Sequence, residues 1–172
     1  MKKLLSTLSV FFLLIGIGSG CQQLDKHNNI PAPEQGAQAR VQLYYGDVGN
    51  QQFQIEEREI IFPPDQDRYS ILLQELIKGT DNTEYRNNID PHTVVYGNMK
   101  QNSDLIVNLS QDFNRFGGSI QEIIAVGSIV NTLNTFDPEI KRVKILVEGE
   151  ELIGPSGNPR GFMEPMRDNS NN

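Results

Sequence analysis

The chain carries one cysteine, Cys21, and two histidines, His27 and His92, so thiolate chemistry, soft metal ligation and imidazole base catalysis would all have to come from these three residues. Neither histidine has a second His or Cys at ligand spacing, which argues against a zinc or other transition-metal site. His92 follows Pro91 where an extended segment begins, and reads as a surface histidine. Serines are numerous, yet none lies in a G-x-S-x-G turn, and a hydrolytic triad would need His92 as its base. Ser110 and Ser119 read as residues that bond local backbone instead. The run "FGGSI" (116–120) lacks the lysine of a phosphate-binding loop and reads as a turn entering a helix. Carboxylates remain. "IEERE" (55–59) holds Glu56, Glu57 and Glu59, and on a strand Glu57 and Glu59 share a face. Such a pair could move a proton or hold a divalent ion. On an exposed strand beside Arg58, however, charges keep the surface solvated and discourage pairing at a sheet edge. Asp104 and Asp112 read as turn and helix-entry residues. With no tryptophan and five scattered tyrosines there is no sugar-stacking platform. No catalytic residue, cofactor site or metal site is assigned, and the chain is not read as an enzyme.

The neighbours of Cys21 give it another use. Lys2 and Lys3 open the chain, "VFFLLIGI" (10–17) is apolar, and Gly18, Ser19 and Gly20 precede the cysteine. A positive start, a short apolar core and small residues describe an export signal, and the core falls short of the roughly 20 residues a membrane span needs. The stretch resembles the lipobox of bacterial lipoproteins, in which the cysteine receives a thioether-linked diacylglycerol and becomes the first mature residue. Ser19, Gly20 and Cys21 carry the likeness; Gly18 stands where that motif has an aliphatic residue. The resemblance implies a signal peptide over 1–20, lipidation at Cys21 and a domain held on the extracytoplasmic face of the cell membrane. Several acyl chains, at about 0.8 kcal/mol per buried CH₂, anchor durably where one chain does not. The alternative is an ordinary secretory signal that leaves a free thiol near the new end.

Charge narrows the partners. Fifteen Lys and Arg face 22 Asp and Glu, a net charge of −7; losing residues 1–20 removes Lys2 and Lys3 and no acid, which makes it −9. Like charges repel, so this balance argues against nucleic acid and against electrostatic adhesion to anionic lipid.

The elements follow from periodicity. Residues 21–39 are polar, broken by Pro31 and Pro33, and read as a flexible tether that includes His27. "VQLYYGD" (41–47) places Val41, Leu43 and Tyr45 on one face of a strand, and "QFQIEEREIIFP" (52–63) gives a second. Tyr69, Leu72, Leu73, Leu76 and Ile77 make one stripe on a helix, with Asp67 as N-cap, Lys78 at the negative end and Gly79 after it. "HTVVYGNMKQ" (92–101) and Leu105, Val107 and Leu109 give two more strands. Ser119 and Glu122 are spaced as a capping box for a second helix, with Ile120, Ile123, Ile124, Val130 and Leu133 as its buried stripe. "RVKILVEG" (142–149) is the last strand, and 155–172 is a Gly-, Pro- and Asn-rich tail. The expectation is an α+β two-layer domain of order β-β-α-β-β-α-β, with two helices packed on one face of a small mixed sheet.

These segments resemble the GerMN domain of sporulation and spore-germination lipoproteins. "VQLYYGD", "EEREI", "LLQELIKG", "LIVNLSQDF", the apolar helix from Ile120 and "VKILVEGE" carry the likeness, over residues 40–154. The chain departs from the family at "GTDN" (79–82), where members have Gly-Pro after the first helix. The resemblance implies a noncatalytic module that works by protein–protein assembly with envelope or sporulation membrane proteins, or with itself. A lipoprotein that binds cell-wall fragments or a small ligand is the alternative.

Overall fold

The computed structural model describes residues 36–49, 52–155 and 157–166. Strands β1 (Ala37–Asp47) and β2 (Phe53–Phe62) pair antiparallel along their whole length, from Ala37 opposite Phe62 to Gly46 opposite Phe53. Val41, Leu43 and Tyr45 of β1 are buried, as are Ile60 and Phe62 of β2, so alternation puts one face of the ribbon in the core. Helix α1 (Arg68–Lys78) follows. Asp67 accepts from the Ser70 N–H at 2.6 Å, and Gly79 ends the helix at φ 89°, a backbone angle that favours glycine. Leu72, Leu73, Leu76 and Ile77 are buried, as the stripe predicts.

The short β3 (Tyr85–Arg86) pairs only with Gly46 and Asp47. Strands β4 (Val95–Gln101) and β5 (Asp104–Leu109) form a hairpin, a 3-10 turn spans Gln111–Asn114, and α2 (Ser119–Phe136) leads to β6 (Arg142–Val147). Strand β6 runs parallel to β5, with α2 as the crossover. Glu148 and Gly149, at φ 53° and 84°, turn the chain back into β7 (Glu150–Glu151). Two successive residues at positive φ suit a tight hairpin, which explains why a strand expected to run to Gly149 stops at Val147.

The class is α+β, as expected, but the strands divide between two sheets, β2-β1-β3 and β4-β5-β6-β7, rather than forming one. The reason lies at the second edge of β1. Helix α2 runs along that edge, and the buried Thr132 hydroxyl accepts the Tyr44 N–H at 3.0 Å. A helix therefore occupies the place a strand would take. Helix α1 packs against β2 and β4, while α2 packs against β1 and β6, so the helices join the sheets around one hydrophobic core.

Other boundaries move for identifiable reasons. The tether expected to reach residue 39 gives way to β1 at Ala37. Residues 159–166, expected as tail, stay on the domain: Met163 forms a two-way bridge with Val143 at 2.8 Å, and the Asn131 amide bonds both the N–H and the C=O of Met166. The capping box does not form. Ser119 is already helical behind an N-cap Gly118, and it is the Gln121 side chain that accepts the Gly117 N–H, at 2.7 Å. Ile120 and Ile123 are 53% and 42% exposed, not part of the buried stripe. Helix α2 is instead buried on nearly every side from Ile124 to Leu133, because β1, β6 and the 159–166 segment surround it.

Candidate functional site

The glutamate run of β2 splits by the period of the strand. Glu56 and Arg58 turn inward; Ile55, Glu57, Glu59 and Ile61 turn outward and are exposed. Inside, the Arg58 guanidinium contacts the Glu56 carboxylate, lies 3.6 Å from that of Glu75, and donates to the C=O of Glu75 and Gly79 at 2.9 and 2.7 Å. A cation thus closes the negative end of α1. The Tyr45 hydroxyl, wholly buried, donates to the same Gly79 C=O at 2.9 Å. Burial pushes the Tyr45 phenol up to about 12, against the opposing pull of Arg58. Glu56 also takes a bond from the Thr80 hydroxyl. This network fastens β2 to α1 from beneath.

Outside, the Gln38 amide donates to Glu59 at 2.7 Å and Arg40 pairs with Glu57 at 3.3 Å, both diagonally across the ribbon. Glu57 and Glu59 do share a face, as the sequence predicts, but β1 side chains bind each of them separately. Ile55 and Ile61, 45% and 61% exposed, flank the pair.

The direction of the backbone groups can be read from Tyr44. Its N–H points at Thr132, away from β2, so the Tyr44–Ile55 pair is a non-hydrogen-bonded one. By alternation the same holds for Gln42–Glu57, Arg40–Glu59 and Gln38–Ile61. The N–H and C=O groups of Ile55, Glu57, Glu59 and Ile61 therefore point off the sheet. Strand β2 is the outer strand, and among the described residues no strand pairs with its far edge.

The remaining candidates disperse. Cys21, the proposed lipidation residue, lies outside the described residues, as do His27, the signal peptide and most of the tether. His92 is exposed, with Nδ1 3.0 Å from Asp90; the His92 backbone N–H and ring together hold the Asp90 carboxyl below its usual range. The Ser110 hydroxyl accepts the Val94 N–H at 2.9 Å, which makes it a local backbone bonder. Asp104 takes a two-pronged bond from Arg142 at 2.9 and 2.6 Å, and Asp112 pairs with Arg115 at 2.8 Å. Among the described residues, no three of His, Cys, Asp and Glu gather as a metal site, and no helix is long and apolar enough to cross a membrane. A shallow hollow of about 580 Å³ opens at the start of α2, lined by Arg86, Asn88 and Gly117 to Gln121.

Sequence reading missed two pairings inside the fold. Glu122, fully buried, bonds Arg160 at 2.5 Å, and Gly154 lies close above it, where a Cβ would sit 2.0 Å from the Glu122 carboxyl carbon and force that carboxylate to shift. Thr132, the cap of the β1 edge, carries no signal in the pattern of α2.

Comparison with known proteins agrees with this architecture. The family model Germane, described as sporulation and spore germination, matches residues 42–153. The tandem GerMN domains of the sporulation protein GerM from Bacillus subtilis superpose with a TM-score of 0.60 at 16% identity, over 76% of this chain and 46% of that one. The first GerMN domain of the same protein gives 0.56 at 21% identity, over 75% of this chain and 98% of that one. A candidate lipoprotein from Clostridium perfringens gives 0.49 at 23% identity, over 73% and 88%. No curated protein matches the sequence. At these identities the two GerMN superpositions establish the fold alone.

Proposed function

Since the chain belongs to the Germane family, which is linked to sporulation and spore germination, we propose that it is a noncatalytic envelope lipoprotein whose domain assembles with other proteins during one of those processes. Lipid at Cys21 would hold the domain on the extracytoplasmic face of the cell membrane. The observation that carries the reading is the edge of β2: ten residues of strand, paired among the described residues on one side only, whose outward backbone groups and exposed isoleucines are suited to another polypeptide. Glu57 and Glu59 are bound separately by β1 side chains, and His92 meets only Asp90 on an exposed turn, so the described side chains favour contact over chemistry.

Crosslinking in living cells with the lipidated protein, followed by mass spectrometry of what is captured, tests this. Sporulation or germination membrane proteins should be recovered, and Cys21→Ala should abolish their capture by releasing the domain. Recovery of wall fragments or a small ligand in place of a protein would overturn the assembly reading.

A further inference from the structure

We infer that the β2 edge accepts an extended, basic segment of a partner protein as an added antiparallel strand; this rests on the assembly reading and names its surface and the chemistry of its partner. The four residues whose N–H and C=O groups point off the sheet, Ile55, Glu57, Glu59 and Ile61, also present their side chains to solvent. In an antiparallel pair, residues directly opposite share a face. An incoming strand therefore meets an apolar, acidic, acidic, apolar series at every second position. The complement is apolar, basic, basic, apolar at the same spacing, with the two cations against Glu57 and Glu59.

A second copy of this chain is disfavoured in the registers that overlap this acidic stretch most fully. Pairing β2 with itself about Arg58 sets Glu57 against Glu59 of a second copy, and Glu59 against Glu57 of that copy, so four carboxylates crowd one face. Pairing about Glu57 sets that residue against itself and puts Glu59 opposite Ile55. Like charges directly opposed destabilise a ladder. The neighbouring cation, Arg40, offsets only one of the two carboxylates, and the whole chain is acidic. The glutamates that keep copies of this chain apart thus select a basic strand.

Beneath the edge, Arg58 ties β2 to Glu75 and Gly79, so the strand is already held in place before a partner arrives. Ordering cost then falls on the incoming segment alone.

The test uses the full lipidated chain in detergent micelles and a labelled seven-residue peptide. The peptide has valine at both ends, lysine at its third and fifth positions, and threonine between. One control replaces the lysines with glutamates; another keeps the composition but places the lysines side by side, which sends them to opposite faces. Anisotropy should show the alternating lysine peptide binding more tightly than either control, by roughly 2- to 30-fold for two cross-strand charge pairs. The double variant Glu57→Lys with Glu59→Lys should reverse the choice between the lysine and glutamate peptides. Glu57→Pro, which removes an outward N–H, no backbone bond to β1 and only the exposed pair with Arg40, should weaken binding while leaving the melting temperature close to that of the parent. Equal binding of all three peptides, or a preference untouched by the charge reversal, would overturn the inference. A protein partner captured in cells whose crosslinking ignores Glu57 and Glu59 would overturn it too, and would leave the assembly reading standing.

Discussion

Replacing Arg58 with leucine isolates what holds β2 to α1. The guanidinium bonds two carbonyl oxygens at the end of the helix, 2.9 and 2.7 Å away, and pairs with Glu56 and Glu75. Leucine fills similar space but leaves those carbonyls without their cation and sets two carboxylates close together. A hydrogen bond to a charged group contributes about 1.5–3 kcal/mol, and breaking a fully buried pair costs about 3–5 kcal/mol. The Arg58 side chain is 22% exposed, so water recovers part of that loss, and the expected cost is roughly 2–4 kcal/mol. In a domain of this size that lowers the melting temperature by about 10 °C. Urea denaturation followed by circular dichroism measures it. Arg58→Lys should fall between parent and leucine variant, because an ammonium restores the charge but not the fork. Arg40→Ala, which removes only the exposed pair with Glu57, should stay within about 0.5 kcal/mol. The reasoning fails if Arg58→Leu costs no more than Arg40→Ala.

Three further outcomes follow from the same contacts. Because the Tyr45 phenol sits at about 12, above its unfolded value of roughly 10, its contribution is complete below the unfolded value and is lost as pH rises through the folded one. Stability should therefore drop in that alkaline window; Tyr45→Phe should flatten the drop, and an unchanged alkaline slope in that variant would refute the assignment. Thr132→Val leaves the Tyr44 N–H without an acceptor and should cost about 1 kcal/mol in urea denaturation, with Thr132→Ser recovering most of it. Arg160→Ala strands the buried Glu122 carboxylate and should cost about 3–5 kcal/mol; adding Glu122→Gln should return much of the loss, and a double-mutant cycle showing no coupling would contradict the pairing.

What could be read in advance depended on whether the signal was periodic. The burial of Val41, Leu43 and Tyr45, and of Leu72, Leu73, Leu76 and Ile77, follows from spacings of two and of three to four, and those spacings are visible in the letters. The inward turn of Arg58 has the same origin, since it shares parity with the buried Ile60 and Phe62, although the charged run as a whole suggests an exposed face. The split into two sheets was not. It depends on a threonine of α2 meeting a strand backbone 88 residues earlier, and a helix that substitutes for a strand leaves no mark on the strand's own pattern. The anchoring of 159–166 was hidden for a similar reason. Gly, Pro and Asn spell a tail by composition, whereas Met163 and Asn131 attach it by backbone bonds, which composition does not record.

The five residues Ile55 to Glu59 tie these points together, because adjacent residues there do opposite work. Glu56 and Arg58 spend their charge inside, where it fixes the strand; Glu57 and Glu59 keep theirs outside, and with Ile55 they turn their backbone groups outward. A strand edge free to twist would have to be ordered by each partner it met, at a cost in affinity. One fastened from below presents its donors and acceptors in register beforehand. The two halves are therefore coupled: Arg58→Leu touches no residue of the outward face, yet it should weaken binding of the alternating lysine peptide along with stability. If it lowered the melting temperature and left peptide binding intact, the edge would be working without the support beneath it, and rigidity would have to be dropped from the account of how this surface recognises a strand.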